Sequence, residues 1–139
     1  MNDPEGEPVG FTATSMTSLG ANPPLASFNV ASGASSWRAM NTAEYVAIHT
    51  LGTGNLELAK KMAAAHENRF LGSDWSRGAH DLPIFTDTSA VLIAKVREIH
   101  AVESNAVVIV EIQEGLIGSE VDALIYHQRA YKATGATFE

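Results

Sequence analysis

The side chains able to do chemistry in this 139-residue chain are unevenly spread, and the densest group is a row of hydroxyls. FTATSMTSL (11–19) carries Thr12, Thr14, Ser15, Thr17 and Ser18, and it runs into GANPPLASFNV. Hydroxyls can donate and accept hydrogen bonds without adding charge. The same row is also what ordinary β-propensity supplies, because threonine suits a pleated surface. A second group, Ser32, Ser35 and Ser36, precedes Trp37 and Arg38, and serines before a helix commonly serve as N-caps. Near the C-terminus, His127 and Arg129 stand two apart, which in one continuous strand puts both side chains on one face.

No self-contained acid, base or nucleophile emerges. LGTGN (51–55) suggests a dinucleotide fingerprint, but the third glycine falls at Glu57, whose carboxylate would repel phosphate, and no βαβ alternation surrounds it. It reads as a turn with an N-cap from Thr53 or Asn55. His49, His66, His80, His100 and His127 lack metal-ligand spacing. His80-Asp81 has no nucleophile elbow to serve. Glu111 and Glu114 read as solvated strand positions. With no cysteine, thiolate chemistry, iron–sulfur clusters and disulfides are excluded. Any catalysis would then draw its chemistry from a cofactor.

The elements that must position these residues are mostly strands. Residues 8–19 and 25–31 read as strands joined by Gly20-Ala21-Asn22-Pro23-Pro24, where successive prolines forbid a helix. A small-residue loop enters a short helix before residue 40. A strand over 44–51 precedes a helix whose Leu56, Ala59, Met62 and Ala63 share a face. Residues 71–88 read as loop. Strands over 90–102 and 106–117 form a hairpin across Glu103-Ser104-Asn105, and 123–133 reads as a last strand. The hairpin's consecutive apolar residues, such as Val91 to Ala94 and Val107 to Val110, require burial on both faces. In a small antiparallel protein a second subunit would cover the outer one. The expectation is a single β-barrel-like domain over 1–139, forming a homodimer. A net charge of -7 argues against nucleic-acid binding. No apolar run suits a membrane span, and the acidic MNDPEGEPVG start is unlike a signal peptide, so a cytoplasmic protein is expected.

In order along the chain stand GFTATSMTSLGANPPLASFNV, SSW (35–37), LELAKKMA (56–63), ENRFLGSDW (67–75), the long hairpin and LIYHQRAY (124–131). This set resembles the flavin reductase-like family, whose fold is the FMN-binding split barrel. The resemblance implies a mainly β, Greek-key split barrel with one or two short helices. It also implies a dimer that binds FMN or FAD, reduces it with NADH or NADPH, and supplies reduced flavin to a separate flavin-dependent oxygenase.

For the site, the resemblance implies that Thr14, Ser15, Thr17 and Ser18 satisfy the polar edge of the flavin ring, with Phe28 or Trp37 beside its apolar end. Ser32, Ser35 and Ser36, with Arg38 close by, would hold the phosphate at a helix N-terminus. Lys60, Lys61 or Arg69 would add a cation. His127 would orient the nicotinamide or protonate reduced flavin, and Arg129 would meet the dinucleotide's pyrophosphate. The chain departs from the family in four places, one being the hairpin turn, where Glu103-Ser104-Asn105 stands in place of the frequent Gly-Asp-His. It starts at the turn DPEGEPVG, where relatives first have a helix and a strand. Val110 stands where glycine is frequent, and HQRAY replaces HRGRY. Two alternatives therefore stay open, a non-enzymatic FMN-binding electron carrier and a flavin-free structural remnant of the fold.

Overall fold

The computed structural model describes residues 1–119 and 121–138. Its centre is a five-stranded antiparallel sheet in the order β1-β2-β7-β6-β3. Strand β1 (Thr17–Ala21) turns through a cis Asn22-Pro23 bond into β2 (Pro24–Ala31). A short helix α1 (Trp37–Met40) leads to β3 (Tyr45–Thr50), followed by helix α2 (Leu56–Ala63). Strands β4 (Trp75–Arg77) and β5 (Pro83–Phe85) make a small ribbon. The long hairpin β6 (Ala90–Val102) and β7 (Asn105–Ile117) follows, and the short strands β8 (Ile125–His127) and β9 (Ala130–Lys132) form a second ribbon. The sheets do not close into one hydrogen-bonded ring, and the architecture is that of a split β-barrel.

Sequence alternation explains the core. Ala26, Phe28 and Val30 of β2 and Ala106, Val108 and Val110 of β7 point to one buried face, which Ala39 and Met40 of α1 cover. Val110 fills a fully buried position there, whatever residue relatives carry. Val91 and Ile93 face the opposite way and pack with Leu82 and Ile84, beside Tyr45 and Ala47 of β3. That corrects one inference: the outer face of β6 at these residues is covered by this chain's own 82–84 segment, with no second subunit required. A bulge between Val96 and Glu98 explains why Val96 and Ile99, three apart, both pack on the first core. The hairpin turns on two residues, Glu103 in the left-handed region and Ser104, between paired Val102 and Asn105.

Three expectations differ. The first strand begins at Thr17, because residues 9–16 find no neighbouring strand to pair with. The 71–88 region contains the β4–β5 ribbon, whose three-residue strands are too short for any alternation to show. The expected strand over 123–133 is two strands around Gln128 and Arg129, both left-handed with φ 51 and 62. No described helix is long and apolar enough to cross a membrane.

Candidate functional site

Two cavities meet along residues Phe11 to Thr14, which line both. The larger, about 720 Å³, is a mostly apolar chamber between β3, α2 and the aromatic rings of Phe70 and Phe85. The smaller, about 430 Å³, is a polar groove bordered by Ser15, Asn29, Ser35, Ser36, Arg69 and Asn105. In a chain with 16 acidic residues, none of the described side chains lining either cavity is a carboxylate. Arg69 is the one basic guanidinium or ammonium side chain among them.

The shared wall has an unusual backbone. Among the described residues, none of the N–H or C=O groups of residues 11–14 has a hydrogen-bond partner. Thr12, Ala13 and Thr14 are exposed, so an incoming polar edge can reach their backbone. The wall is fixed at both ends. Arg69 Nη1 donates to the Gly10 carbonyl at 2.8 Å while its Nε donates to Ala64 O at the end of α2. At the other end Ser15 Oγ accepts the Asn29 N–H at 2.8 Å. Gly10 packs closely here, where a Cβ would lie 2.8 Å from Met62 Cε and 3.1 Å from Phe70 Cζ and the methionine end would have to shift.

The candidate residues divide sharply. Thr14, Ser15, Ser35, Ser36 and Arg69 come together at the groove, and Phe28 reaches the chamber from the core, its ring 6.1 Å from that of Phe11. The remainder lie elsewhere. Thr17 and Ser18 are exposed on edge strand β1 and line neither cavity. Ser32 Oγ donates to Ser104 O at 3.0 Å, tying β2 to the hairpin turn. Trp37 packs half-buried against the core. Arg38 is engaged by Glu5 and Asp3, and its hydrogen bond holds the Glu5 carboxyl below its ordinary range. Lys61 is held by Asp74 at 2.9 Å and by the Leu71 carbonyl. Lys60 is exposed, 3.8 Å from Glu57. Asn55 does stand at the start of α2, but its side chain accepts the Gly52 N–H and donates to Asp87 O instead of capping the helix.

The C-terminal ribbon changes the reading of His127 and Arg129. Arg129 lies in the turn, so the two do not share a strand face, and both are exposed. His127 Nδ1 is 3.1 Å from Lys132 Nζ. It is Tyr126 and Tyr131, paired across the ribbon with rings 5.0 Å apart, that border the chamber. The segment before the ribbon crosses closely over Gly52, where a Cβ would collide with Val121, and Leu124 N–H donates to Leu51 O.

Sequence reasoning also passed over His49, Phe70 and Phe85. Burial holds the His49 imidazole down to about 4, with the Met1 α-amino charge adding to the effect. The imidazole is therefore neutral at ordinary pH, and its Nε2 accepts the Phe85 N–H at 3.0 Å. A histidine inside an otherwise apolar strand, YVAIHT, was the available signal.

The chain belongs to the flavin reductase like domain family, whose model matches residues 2–135. It is similar to a flavin reductase domain protein from Arthrobacter sp. FB24, whose crystal structure has 40% identity and a TM-score of 0.94 over 99% of this chain and 86% of that one. The reductase subunit of stachydrine N-demethylase from Rhizobium meliloti (strain 1021) is 40% identical over 89 residues, 64% of this chain and 39% of that protein. The NADH:FMN oxidoreductase of Rhodococcus qingshengii is 34% identical over 134 residues, 89% of this chain and 67% of that protein.

The residues present fit a flavin. Its ring carries carbonyl and N–H groups along one edge, which unpaired backbone amides and carbonyls can match. Its apolar body suits Phe70 and Phe85, and its phosphate needs donors with no carboxylate nearby, as Ser35 and Arg69 provide.

Proposed function

We propose that the chain is an NADH-dependent FMN reductase that passes reduced flavin to a separate oxidising enzyme. The observation that carries this reading is the unpaired backbone of residues 11–14, set between an aromatic chamber and a groove free of carboxylates. The names of the relatives, an NADH:FMN oxidoreductase and the reductase subunit of a demethylase, support the pyridine nucleotide, the flavin and the partner. FAD in place of FMN, and NADPH in place of NADH, use the same groups.

In this reading the backbone of Thr12 to Thr14 holds the polar edge of the ring, and Phe70, Phe85 and Tyr126 enclose its body. Ser35, Ser36 and Arg69 hold the phosphate. Bound flavin supplies the hydride acceptor, so the protein's own contribution is to orient the two reactants and keep water from between them. Arg129, at the ribbon tip, meets the pyrophosphate of the dinucleotide, and His127 lies beside it to orient the nicotinamide. The active unit is a cytoplasmic homodimer of one domain per chain. Half-exposed Val107 and Ile109 and exposed Leu116 and Ile117 on β7 offer the apolar surface for pairing.

The test is direct. Purified protein is titrated with FMN, and NADH is then added without oxygen. FMN-dependent loss of NADH absorbance with bleaching of the flavin band is expected. FMN binding without bleaching would make the chain a carrier, and no binding would remove the reading.

A further inference from the structure

We infer that His49 is a positioning residue, whose Nε2, as acceptor for the Phe85 N–H, fixes the aromatic wall against which the flavin ring is held. The inference rests on the flavin reading above.

His49 sits in β3 opposite Val91, and its half-buried ring reaches the chamber. An Nε2 that accepts a hydrogen bond leaves the proton on Nδ1, which fixes the tautomer. The imidazole also meets the Phe85 ring edge-on at 5.5 Å and 73°. Phe85 in turn stacks on Phe70 at 5.3 Å, and Phe70 meets Trp75 at 5.5 Å and 84°. Trp75 Nε1 closes the cluster by donating to Phe70 O at 2.8 Å. At its far side Lys61 Nζ lies 5.5 Å over the Phe85 ring while paired with Asp74. The wall is thus held from α2 by an ion pair and from β3 by one hydrogen bond.

That hydrogen bond has no substitute nearby. Phe85 is 6% exposed, so its N–H would otherwise be left buried and unpaired. The titratable groups facing the imidazole are the Met1 α-amino group, which burial lowers to about 5 and which is charged only in acid, and, beyond Phe85, the Lys61 ammonium. Val91 of β6 and Leu58 and Met62 of α2 bring none, and no described carboxylate lines the chamber. The Ala47 backbone favours the imidazolium, but burial outweighs it and holds the ring neutral. Protonating Nε2 would set two donors against each other and release the wall.

The experiment compares wild type with His49→Phe, which keeps an aromatic ring but no acceptor, and His49→Gln, whose Oε1 can replace Nε2. In flavin-free protein, the Phe85 amide is expected to exchange with solvent at least ten-fold faster in His49→Phe and near the wild-type rate in His49→Gln. In turnover, His49→Phe should raise the KM for FMN about ten-fold with little change in kcat, the scale of one lost hydrogen bond, and His49→Gln should restore it. The wild-type Phe85 amide signal should titrate in acid and that of His49→Gln should not. Equal Phe85 protection in wild type and His49→Phe would overturn the inference, as would a glutamine variant no better than the phenylalanine one. If wild type turns over no flavin, the function proposed above fails, while the exchange measurement still decides the role of His49.

Discussion

The middle of the sheet and the wall at residues 11–14 treat the backbone in opposite ways. In β2, β7 and β6 the strands pair along long antiparallel ladders, and Val108, Val110 and Ala94 are completely buried. At residues 11–14 no described backbone partner exists, and only Phe11 is even half-buried. The difference separates two duties. Burial of apolar surface in the sheet stabilises the fold, while the wall leaves its backbone groups without partners among the described residues, which the proposed function assigns to a ligand. Changes in the sheet should therefore alter stability with little specific effect on binding, and changes at the wall should do the reverse.

The largest effect should come from Ile93→Ala, at a position 2% exposed beneath Leu82. Chemical denaturation should show a loss of about 3 kcal/mol, with FMN affinity of the folded protein unchanged. A large affinity loss in protein that remains folded would break the separation. His49 should give an effect of similar size that depends on pH. Its folded value is about 4 against an ordinary 6.5, so between these the unfolded chain binds a proton that the folded one refuses. The destabilising His49 contribution should be absent above about pH 6.5 and grow as pH drops towards 4, to roughly 3 kcal/mol at the limit, on top of a separate fall below about pH 8 from the Met1 α-amino group, which burial lowers to about 5. His49→Gln should flatten that portion of the stability curve relative to wild type.

Arg69→Gln tests the wall. Losing one charge-assisted contact should weaken FMN binding by roughly ten- to thirty-fold, and riboflavin binding, measured by fluorescence quenching, should change far less. Equal losses for both would mean that Arg69 acts only through Gly10. The smallest effect belongs to Arg38→Gln. Arg38 is exposed and matched by Glu5 and Asp3, so neither thermal stability nor FMN affinity should change measurably. A clear affinity loss there would return it to the phosphate site.

These two arginines also mark how far sequence reasoning reaches. Both were candidates for an anion, and only distance in the chain separates their fates: Glu5 lies 33 residues from Arg38, beyond any local pattern. The β6–β7 hairpin was legible because two apolar runs flank a short polar turn, a signal contained within one stretch. Residues 9–16 look like strand in the sequence but are not, because threonine's preference reflects packing on a pleated surface and no neighbouring strand provides one here. The ribbon turn was invisible because Gln128 and Arg129 adopt a conformation that usually announces itself through glycine or asparagine. Arg129 stands where the related motif carries glycine, which explains the departure's position without erasing its cost. Of the residues the resemblance names, Thr14, Ser15, Ser35 and Ser36 border one groove, whereas the aromatic wall of Phe70 and Phe85 depends on tertiary contacts among β3, α2 and the small ribbon.

The unpaired wall has a consequence for how long the protein survives. A ligand that binds only the folded chain raises its stability by an amount that grows with the logarithm of ligand concentration. Residues 11–14 are solvent-accessible chain with no partner of their own, the kind of segment that proteases enter. Filling the groove should therefore slow cleavage there, measurable by limited proteolysis with and without FMN. In a cell, such coupling would let the flavin supply set the abundance of the protein that consumes it, so that scarcity of flavin shortens the reductase's lifetime as well as its turnover.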